Sequence, residues 1–409
     1  MTLLDLEPLL VWLPAALAAA AALGLLILIG GLQRLLARAP QLQPDSGQPA
    51  TESLSVVVPA YNEATNIGPC LQSLLVSESP CANWQVLLVD DGSTDATLAV
   101  AHATVAGLEL PPGRFALLEA GPRPRGERWV GKNWACSQAM AQVERDWVLF
   151  VDADVRLHPR TLRRALNQAQ ADAADLLSLA PRLQCSCLAE WMVQPIIASL
   201  LGLGFPIEAA NDPTSPVAFA AGPFMLFRRS AYMAIGGHRA LAAEVVEDLA
   251  LARQIKTNGY RLRYLLGLDA ADLQMYADMG ALWEGWTKNW LLGLDGNVAK
   301  ALGASAVVLL MFSGPWLVAI GAAIAVVILQ ASSGTPSLIG PWAAALLLGL
   351  AGIGLQLLLR LWTRRQFQLP LTHWWLMGVG GLLVGAIGPT SVWRTLTGRG
   401  WTWRGRSLA

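Results

Sequence analysis

The chain has 409 residues, of which 54% are hydrophobic and only 14% are charged, a composition too apolar for a wholly soluble protein. Basic and acidic residues balance at 29 each, so no net positive field attracts nucleic acid, and we exclude nucleic acid as a partner. The five cysteines form neither a CxxC pair nor a dense disulfide framework, which favours reduced thiols in a cytosolic domain.

The first predicted element is an apolar helix near the N-terminus. Residues 9–32 carry no charge and exceed the roughly 20 residues that a helix needs to cross a bilayer. A cleaved signal peptide is the alternative, but Asp5 and Glu7 stand where such a peptide has basic residues. We therefore predict that residues 1–52 form a retained membrane anchor and a polar linker.

Residues 53–300 have the composition of a soluble domain. The strand-like runs LSVVVPA, WQVLLVD and DWVLFVD alternate with helical patterns, and helices are predicted over residues 66–75, 95–106, 132–143 and 159–170. This alternation predicts an α/β fold with a mostly parallel sheet and helices on both faces. Ligands of such sheets bind beyond the carboxyl ends of the strands.

Three further apolar segments follow, at residues 304–329, 342–361 and 374–392, and they predict transmembrane helices at this end of the chain too. Basic residues mark the cytoplasmic side of a membrane protein. Arg34 and Arg38 after the first span, and Lys288 and Lys300 before the second, place the central domain in the cytoplasm. We expect an integral protein of a bacterial inner membrane.

The last apolar segment breaks this charge pattern. If it spans, the arginines of the tail, residues 394–409, lie on the far side of the membrane. The alternative is a re-entrant or interfacial hairpin that is broken around Gly388 and Pro389 and leaves the tail in the cytoplasm. We favour the second arrangement for the region 301–393.

The uncharged run 191–207 is short for a span and contains Pro195 and Pro206, so a core or membrane-surface segment is predicted there.

The sequence VDAD closes one apolar strand. Asp152 and Asp154 are two residues apart, so in an extended chain their side chains point to the same face. Carboxylates are suitable ligands for Mg²⁺ or Mn²⁺, which a diphosphate can help to hold. A pair of solvated acids in a loop is the alternative interpretation.

The context of this DxD pair carries a resemblance to a known family. The first strand ends in PAYNEATN and the second in DDGSTD, and with VDAD these motifs resemble family 2 glycosyltransferases of the GT-A fold over residues 53–300. The resemblance implies that Asp90 and Asp91 bind the nucleobase and ribose of a nucleotide sugar, with Pro59, Tyr61 and Glu63 bordering the base. Uracil offers an N–H donor to a carboxylate, which favours a UDP-sugar.

The same resemblance assigns the chemistry. Asp154, supported by Asp152, is implied to bind the divalent metal and the sugar diphosphate. In EVVEDLALARQ, Glu247 and Asp248 match the acidic motif of the family, and Asp248 is implied to be the catalytic base of an inverting transfer. The alternative is that both acids only complement the dipole at the start of a helix.

Two further residues have both a functional and a structural interpretation. Lys132 follows a glycine near a predicted helix start, where it could meet phosphate, although a surface lysine is the alternative. His238 could approach the acceptor or could be a buried structural histidine.

The segments GERWVGKNWA, MYADMGALWEGWTKNW and WTWRGRSL are similar to the membrane-bound branch of the family associated with hopanoid biosynthesis, with carotenoid-type transferases as relatives. The nearest analogue of the Gln/Arg-x-x-Arg-Trp motif of processive members is WTKNW, which lacks the motif's arginine. Lys288 and Trp290 are expected to replace the phosphate and acceptor contacts of that motif, which argues against polymer synthesis. Trp401, Trp403 and Arg404 are candidates for a lid over the diphosphate, or the tryptophans belong to an interfacial belt.

The predicted function is therefore an inverting transfer of a sugar from a nucleotide-sugar donor to a membrane lipid at the cytoplasmic face. A polyprenyl-phosphate glycosyltransferase is the alternative enzyme. A membrane protein that binds nucleotide sugars without turnover is the alternative from another class.

Overall fold

A computed structural model describes residues 3–331 and 336–407 of the chain. These residues form two compact units. The apolar unit contains the chain up to Ala37, then Cys185–Gly204 and Tyr276–Arg399. The α/β unit contains Arg38–Gln184, Phe205–Met275 and the chain from Gly400 onward.

The main sheet of the α/β unit has eight strands in the order β3-β2-β1-β4-β7-β6-β8-β5. The strands β1, β2, β3 and β4 run parallel to one another. The strand β7 is antiparallel to its neighbours β4 and β6, β6 is parallel to β8, and β5 is antiparallel to β8. Their bounds are β1 Leu54–Ala60, β2 Trp84–Asp90, β3 Phe115–Glu119, β4 Trp147–Val151, β5 Val155–Leu157, β6 Leu176–Leu183, β7 Phe224–Arg228 and β8 Leu262–Leu273. A separate short hairpin pairs β9 Thr402–Trp403 with β10 Arg406–Ser407.

The helices of both units are, in chain order, α1 Leu3–Arg38, α2 Ile67–Leu75, α3 Thr97–Ala106, α4 Gly131–Ala139, α5 Thr161–Ala171, α6 Leu188–Gly204, α7 Ile207–Asn211, α8 Arg229–Ala234, α9 Gly237–Ala240, α10 Glu247–Thr257, α11 Met279–Gly293, α12 Val298–Val308, α13 Gly314–Ala331, α14 Pro336–Phe367 and α15 Met377–Leu396. The four helices predicted in the first half of the α/β unit correspond to α2, α3, α4 and α5. The α4 helix ends earlier than predicted, because a 3₁₀ turn, Met140–Gln142, follows it.

The sheet has an apolar core on each face. In β1, Val56 and Val58 face one core together with Leu71 of α2, while Val57 faces the other core together with Trp134 of α4. Because side chains alternate along a strand, a continuous apolar run supplies both cores. Each fully buried valine or leucine contributes roughly 1.5–3 kcal/mol. The predicted α/β fold with helices on both faces is confirmed.

Within its described residues, the apolar unit contains four helical stretches that are long and apolar enough to cross a membrane. They are Val11–Arg38, Val298–Ala331, Ser337–Phe367 and Trp374–Leu396. The second stretch joins α12 to α13 through a π-helical turn, Leu309–Ser313. The run 191–207 contributes most of α6, which is shorter than a span and belongs to this unit.

The predicted break around Gly388 and Pro389 is wrong, because α15 continues through both residues. Three glycines on this helix explain why it stays intact. A Cβ atom on Gly381, Gly385 or Gly388 would collide with side chains of the π-turn or of α12. Small residues let helix backbones approach closely, and this packing supports the helix where the proline removes a hydrogen bond.

Candidate active site

Several acidic residues converge at one edge of the main sheet. Ala60 at the end of β1 lies opposite Asp90 at the end of β2, and β1 is also parallel to β4, after which Asp152 follows. The carboxyl ends of all three strands therefore meet at this edge, as predicted for a ligand site. Pro59 lies one residue earlier in β1, opposite Val89.

A cavity of about 500 Å³ opens at the end of β2 and β3, within the size range of ligand sites. We call it the arginine-walled pocket. Its lining residues are Asp90, Asp91, Gly92, Ser93, Leu98, Glu119, Gly121, Pro122, Arg123 and Arg406.

Asp90 fixes the turn that follows β2. Its carboxylate accepts hydrogen bonds from the backbone N–H groups of Gly92 and Ser93, both at 3.0 Å. Gly92 has φ +76°, a conformation that favours glycine. The DDG motif thus shapes the floor of the pocket through its backbone.

Asp91 is held between two arginines. The Nη2 atom of Arg123 lies 2.6 Å from its carboxylate, and Arg406 pairs with the same carboxylate and also donates to the Asp91 carbonyl at 2.9 Å. Burial raises the pKa of Asp91, although the two guanidinium groups oppose this shift. A Cβ on Gly131 would lie 2.5 Å from the Asp91 carboxylate, so only glycine fits at this start of α4.

The β9–β10 hairpin forms part of the pocket wall. The guanidinium carbon of Arg406 lies 3.7 Å from the ring centre of Tyr61, in cation–π geometry. Arg404 lies 2.8 Å from Glu63 and also donates to the Asn62 carbonyl. Burial raises the pKa of Glu63, which Arg404 opposes.

Of the predicted lid residues, Arg404 therefore contacts the residues that follow β1. Trp401 is buried. Trp403 belongs to β9, but its side chain lies outside the described residues.

A second group of charged residues surrounds Lys132, and we call it the carboxylate cluster: Lys132, Asp152, Asp154, Glu247 and Asp248. The Lys132 ammonium lies 2.6 Å from Asp152 and 2.7 Å from Glu247. Burial disfavours this charge, but the two carboxylates raise the pKa of Lys132 well above its usual value. One lysine thus joins the DxD motif at the end of β4 to the acidic motif at the start of α10.

Asn133 holds the backbone in this arrangement. Its side-chain amide is fully buried and donates to the carbonyls of Leu241 at 2.6 Å and Glu244 at 2.8 Å. These bonds fasten the loop before α10 to the first turn of α4. The neighbouring Lys132 is thereby positioned against Glu247.

Asp248, which follows Glu247 in the chain, is half-buried. It accepts hydrogen bonds from the backbone N–H of Leu249 at 2.7 Å and of Gly222 at 3.1 Å. Burial, followed by the charge of Glu247, raises the pKa of Asp248 to about 6. A Cβ on Gly222 would lie 2.8 Å from the Asp248 carboxylate, so glycine is needed there.

Comparison with known proteins places this geometry in a family. Residues 55–236 match the family model described as glycosyl transferase family 2. Residues 55–236, most of which lie in the α/β unit, are thus similar to family 2 glycosyltransferases. The predicted family resemblance and the predicted enzyme class, glycosyltransferase, are confirmed for these residues.

An individual relative has low sequence identity to this chain. The 4,4'-diaponeurosporenoate glycosyltransferase of Staphylococcus aureus strain MRSA252 is 28% identical over 264 residues, which cover 64% of this chain and 66% of the relative. The match thus spans just under two thirds of the relative's own length.

Two solved structures are similar at lower identity. The mannosyltransferase PcManGT from Pyrobaculum calidifontis, in complex with GDP-Man and Mn²⁺, has 16% identity, a TM-score of 0.47 and coverage of 94% of this chain and 99% of its own. S. aureus TarS 1-349 in complex with UDP-GlcNAc has 15% identity, a TM-score of 0.38 and coverage of 86% and 95%.

Asp154 of the α/β unit has a buried carboxylate oxygen, Oδ1, without a hydrogen-bond partner among the described residues. Burial and the charges of Asp152 and Glu63 raise the pKa of Asp154 well above its usual value. A carboxylate oxygen of this kind fits a Mg²⁺ or Mn²⁺ ion. The described residues contain no group of three or more His, Cys, Asp or Glu placed to hold a metal, so other oxygen ligands would have to complete such a site.

Of the remaining candidates, His238 lies close enough to the carboxylate cluster for the charges of Glu247 and Lys132 to act on it. His238 is 1% exposed, its Nδ1 lies 2.7 Å from the Tyr232 hydroxyl, and its ring packs on Phe150. Burial lowers the pKa of His238 to about 3, and this placement favours a structural role over contact with an acceptor. Lys288 and Trp290 belong to α11 of the apolar unit, where the Trp290 indole donates to the Ala301 carbonyl.

Sequence reasoning gave no role to Arg123, which holds Asp91, or to Arg406 beyond its position beside the candidate lid. The signal that could have indicated both residues was the number of arginines in GPRPRGER and WTWRGR, since the domain was expected to bind a diphosphate and arginine binds phosphate groups.

Proposed function

We propose that the chain transfers a sugar from a nucleotide-sugar donor to a lipid acceptor, with inversion at the anomeric carbon. The observation that carries this proposal is the Lys132 bridge between Asp152 and Glu247. It joins the implied diphosphate-binding motif, which lies in the segment 55–236 that matches the family 2 model, to the implied base motif, which follows that segment in the chain. The donor and base functions then belong to one site.

The donor would enter the arginine-walled pocket. Asp90 and Asp91 present carboxylate oxygens that can accept from a base N–H and from ribose hydroxyls. Arg123 and Arg406 are both in the lining, where a guanidinium can bind phosphate oxygens. We favour a UDP-sugar as the donor, since uracil has an N–H for these carboxylates, and because guanine has N–H donors too, GDP-sugars belong in the test.

The unpartnered oxygen of Asp154 is the feature that fits a divalent metal. Asp154, with Asp152 beside it, would hold Mg²⁺ or Mn²⁺ together with the donor diphosphate. When bound, such an ion supplies positive charge that stabilises the departing diphosphate.

Asp248 would act as the base. Its carboxylate takes the proton of the acceptor hydroxyl while that oxygen forms a bond to the anomeric carbon, and the bond to the nucleotide diphosphate breaks on the opposite face. A pKa of about 6 leaves most Asp248 ionised at pH 7 and brings its basicity closer to the working pH. The Gly222 and Leu249 N–H groups orient this carboxylate.

The four apolar helices support a lipid acceptor in a membrane. The name of the S. aureus relative gives 4,4'-diaponeurosporenoate as the compound that it glycosylates, and we propose for this chain an apolar acceptor of the hopanoid or carotenoid class that carries a hydroxyl group. Arg34, Arg38, Lys288 and Lys300 favour a cytoplasmic position for the glycosyltransferase domain, in a bacterial inner membrane.

The test is transfer of radiolabel from UDP- and GDP-sugars into an organic-extractable product. Purified full chain in detergent is incubated with bacterial lipid extract and with Mn²⁺, Mg²⁺ or EDTA, and Asp248→Asn serves as the matched inactive variant. We expect label in the lipid phase that depends on metal and on Asp248. Nucleotide binding without transfer from any donor would contradict the proposal, and an acid-labile phosphate-linked product would instead identify a polyprenyl-phosphate acceptor.

A further inference from the structure

A buried arginine in the apolar unit has no counter-ion among the described residues. Arg360 lies near the C-terminal end of α14 and is only 2% exposed. Its Nε and Nη1 atoms have no hydrogen-bond partner among the described residues, and Nη2 reaches only the Pro370 carbonyl at 3.5 Å. Two of its three nitrogens are thus left without a bond.

The surroundings of Arg360 do not neutralise it. Its guanidinium carbon lies 5.4 Å from the Trp191 ring, and the Trp191 ring lies 5.9 Å from that of His373. The buried acid beside Trp191, Glu190, accepts from the N–H and hydroxyl of Ser186 and from the Tyr276 N–H. Its carboxylate is therefore already occupied by neutral donors.

A buried charge without a partner is costly, and ionisable residues within membrane helices usually mark a functional site. Among the described residues, Nε–H is open on one edge of the planar guanidinium and Nη1–H on the other, and each edge, together with an Nη2–H, matches the two oxygens of a carboxylate or phosphate. On the same helix, Leu358 and Leu361 are 56% and 36% exposed. A ligand with an anionic head and an apolar chain would satisfy both features.

We propose that Arg360 binds the anionic head group of a lipid, either a phosphate or a carboxylate, at the end of α14. The site lies wholly in the apolar unit and does not depend on the proposed sugar transfer. The Trp191 ring supports the guanidinium, and the head group completes its hydrogen bonds.

The test measures the melting temperature of the detergent-solubilised full chain with added phosphatidylcholine, phosphatidic acid or a long-chain carboxylic acid. Arg360→Gln is the variant, and Arg364→Gln, exposed on the same helix, is the control. We expect at least one anionic lipid to raise the melting temperature of wild type and of the control but not of Arg360→Gln. Stabilisation by phosphatidic acid alone identifies a phosphate head group, and by the acid alone a carboxylate.

An equal response of Arg360→Gln and wild type to anionic lipid would overturn the proposal. So would a wild type that responds to phosphatidylcholine as strongly as to both anions. If Arg360→Gln does not give monodisperse protein, Arg360→Lys carries the test, because it keeps the charge but loses the fork. Its half-saturating lipid concentration should rise about tenfold, and an unchanged value would count against the site.

Discussion

The arginine-walled pocket and the carboxylate cluster both contain acids at the edge of one sheet, but the partners of those acids differ. In the pocket, Asp90 accepts from backbone N–H groups and Asp91 lies between two guanidinium groups. In the cluster, Lys132 is shared by Asp152 and Glu247, and Asp154 keeps an oxygen without a partner. Among the described residues, the two acids of the pocket thus have N–H or guanidinium partners, whereas the cluster has four carboxylates and the one ammonium of Lys132.

This difference indicates that the two regions have different functions. A carboxylate with fixed partners is suited to orient a ligand, because it need not change its protonation state. A carboxylate whose pKa is raised by burial and by like charge, as in Asp248, is suited to accept a proton. Changes in the cluster should therefore affect turnover, and changes in the pocket should affect donor affinity.

The largest effect is expected for Asp248→Asn. Losing the base should lower kcat about 10²–10⁴-fold, while the Kd of the donor nucleotide stays within twofold of wild type. Radiolabel transfer and nucleotide titration on the same preparation measure the two quantities. Retained turnover would remove Asp248 from the mechanism.

Asp154→Asn should weaken the response to metal. We expect Mn²⁺ or Mg²⁺ to stimulate the wild type and EDTA to abolish its activity, because the unpartnered oxygen is the proposed ligand. The variant should need about tenfold or more metal for half-maximal activity. Activity that is unaffected by EDTA in the wild type would be incompatible with the role of Asp154.

Arg406→Gln should act on the donor alone. The loss of charge-assisted bonds should raise the Kd and KM of the donor about tenfold with little change in kcat. Arg399→Gln is the matched control, since Arg399 lies over the Trp393 ring in the apolar unit. Truncation after Thr397 should have a larger effect in the same direction, and unchanged donor affinity in both would argue against a role for the hairpin.

Lys132→Gln tests how far the cluster depends on its one cation. Lys132 opposes the rise in the pKa of Asp248, so its removal should shift the acidic limb of the kcat/KM profile about one unit towards higher pH. Lys300→Gln, an exposed lysine of the apolar unit, should leave the profile unchanged. A profile that stays in place in Lys132→Gln would show that the bridge does not tune the base.

The smallest effect concerns stability. The pKa of Asp248 is about 6 in the fold against an ordinary value of 3.8, so its neutral form is favoured and ionisation costs stability as the pH rises through about 6. Asp248→Asn should therefore melt at a higher temperature than wild type at pH 8, with the difference vanishing below about pH 4. A destabilised variant at pH 8 would mean that the Asp248 hydrogen bonds outweigh the cost of its charge.

The sequence revealed those parts of the site that are encoded locally. Asp90 and Asp152 follow continuous apolar strands, so their place at the sheet edge can be read from a few residues on either side. The start of α10 likewise indicated Glu247 and Asp248. Alternation and strand ends are local properties, and the α/β fold followed from them.

Partners that are distant in the chain were not predictable in this way. Asp91 pairs with Arg123, 32 residues away, and with Arg406, 315 residues away. No periodicity connects such positions, because their contact depends on the complete packing of the domain. Lys132 was expected to meet phosphate, but its link to Asp152 and Glu247 required the loop that Asn133 fastens.

The position of Arg406 in the chain has a consequence for biosynthesis. The ribosome makes this residue only after all four apolar helices, although it belongs to the wall of a pocket whose floor, around Asp90, is made much earlier. A nascent chain that stalls before the hairpin would have the sheet and the acids but an open pocket. Under the proposed function, donor binding would then report that translation had passed the last apolar helix.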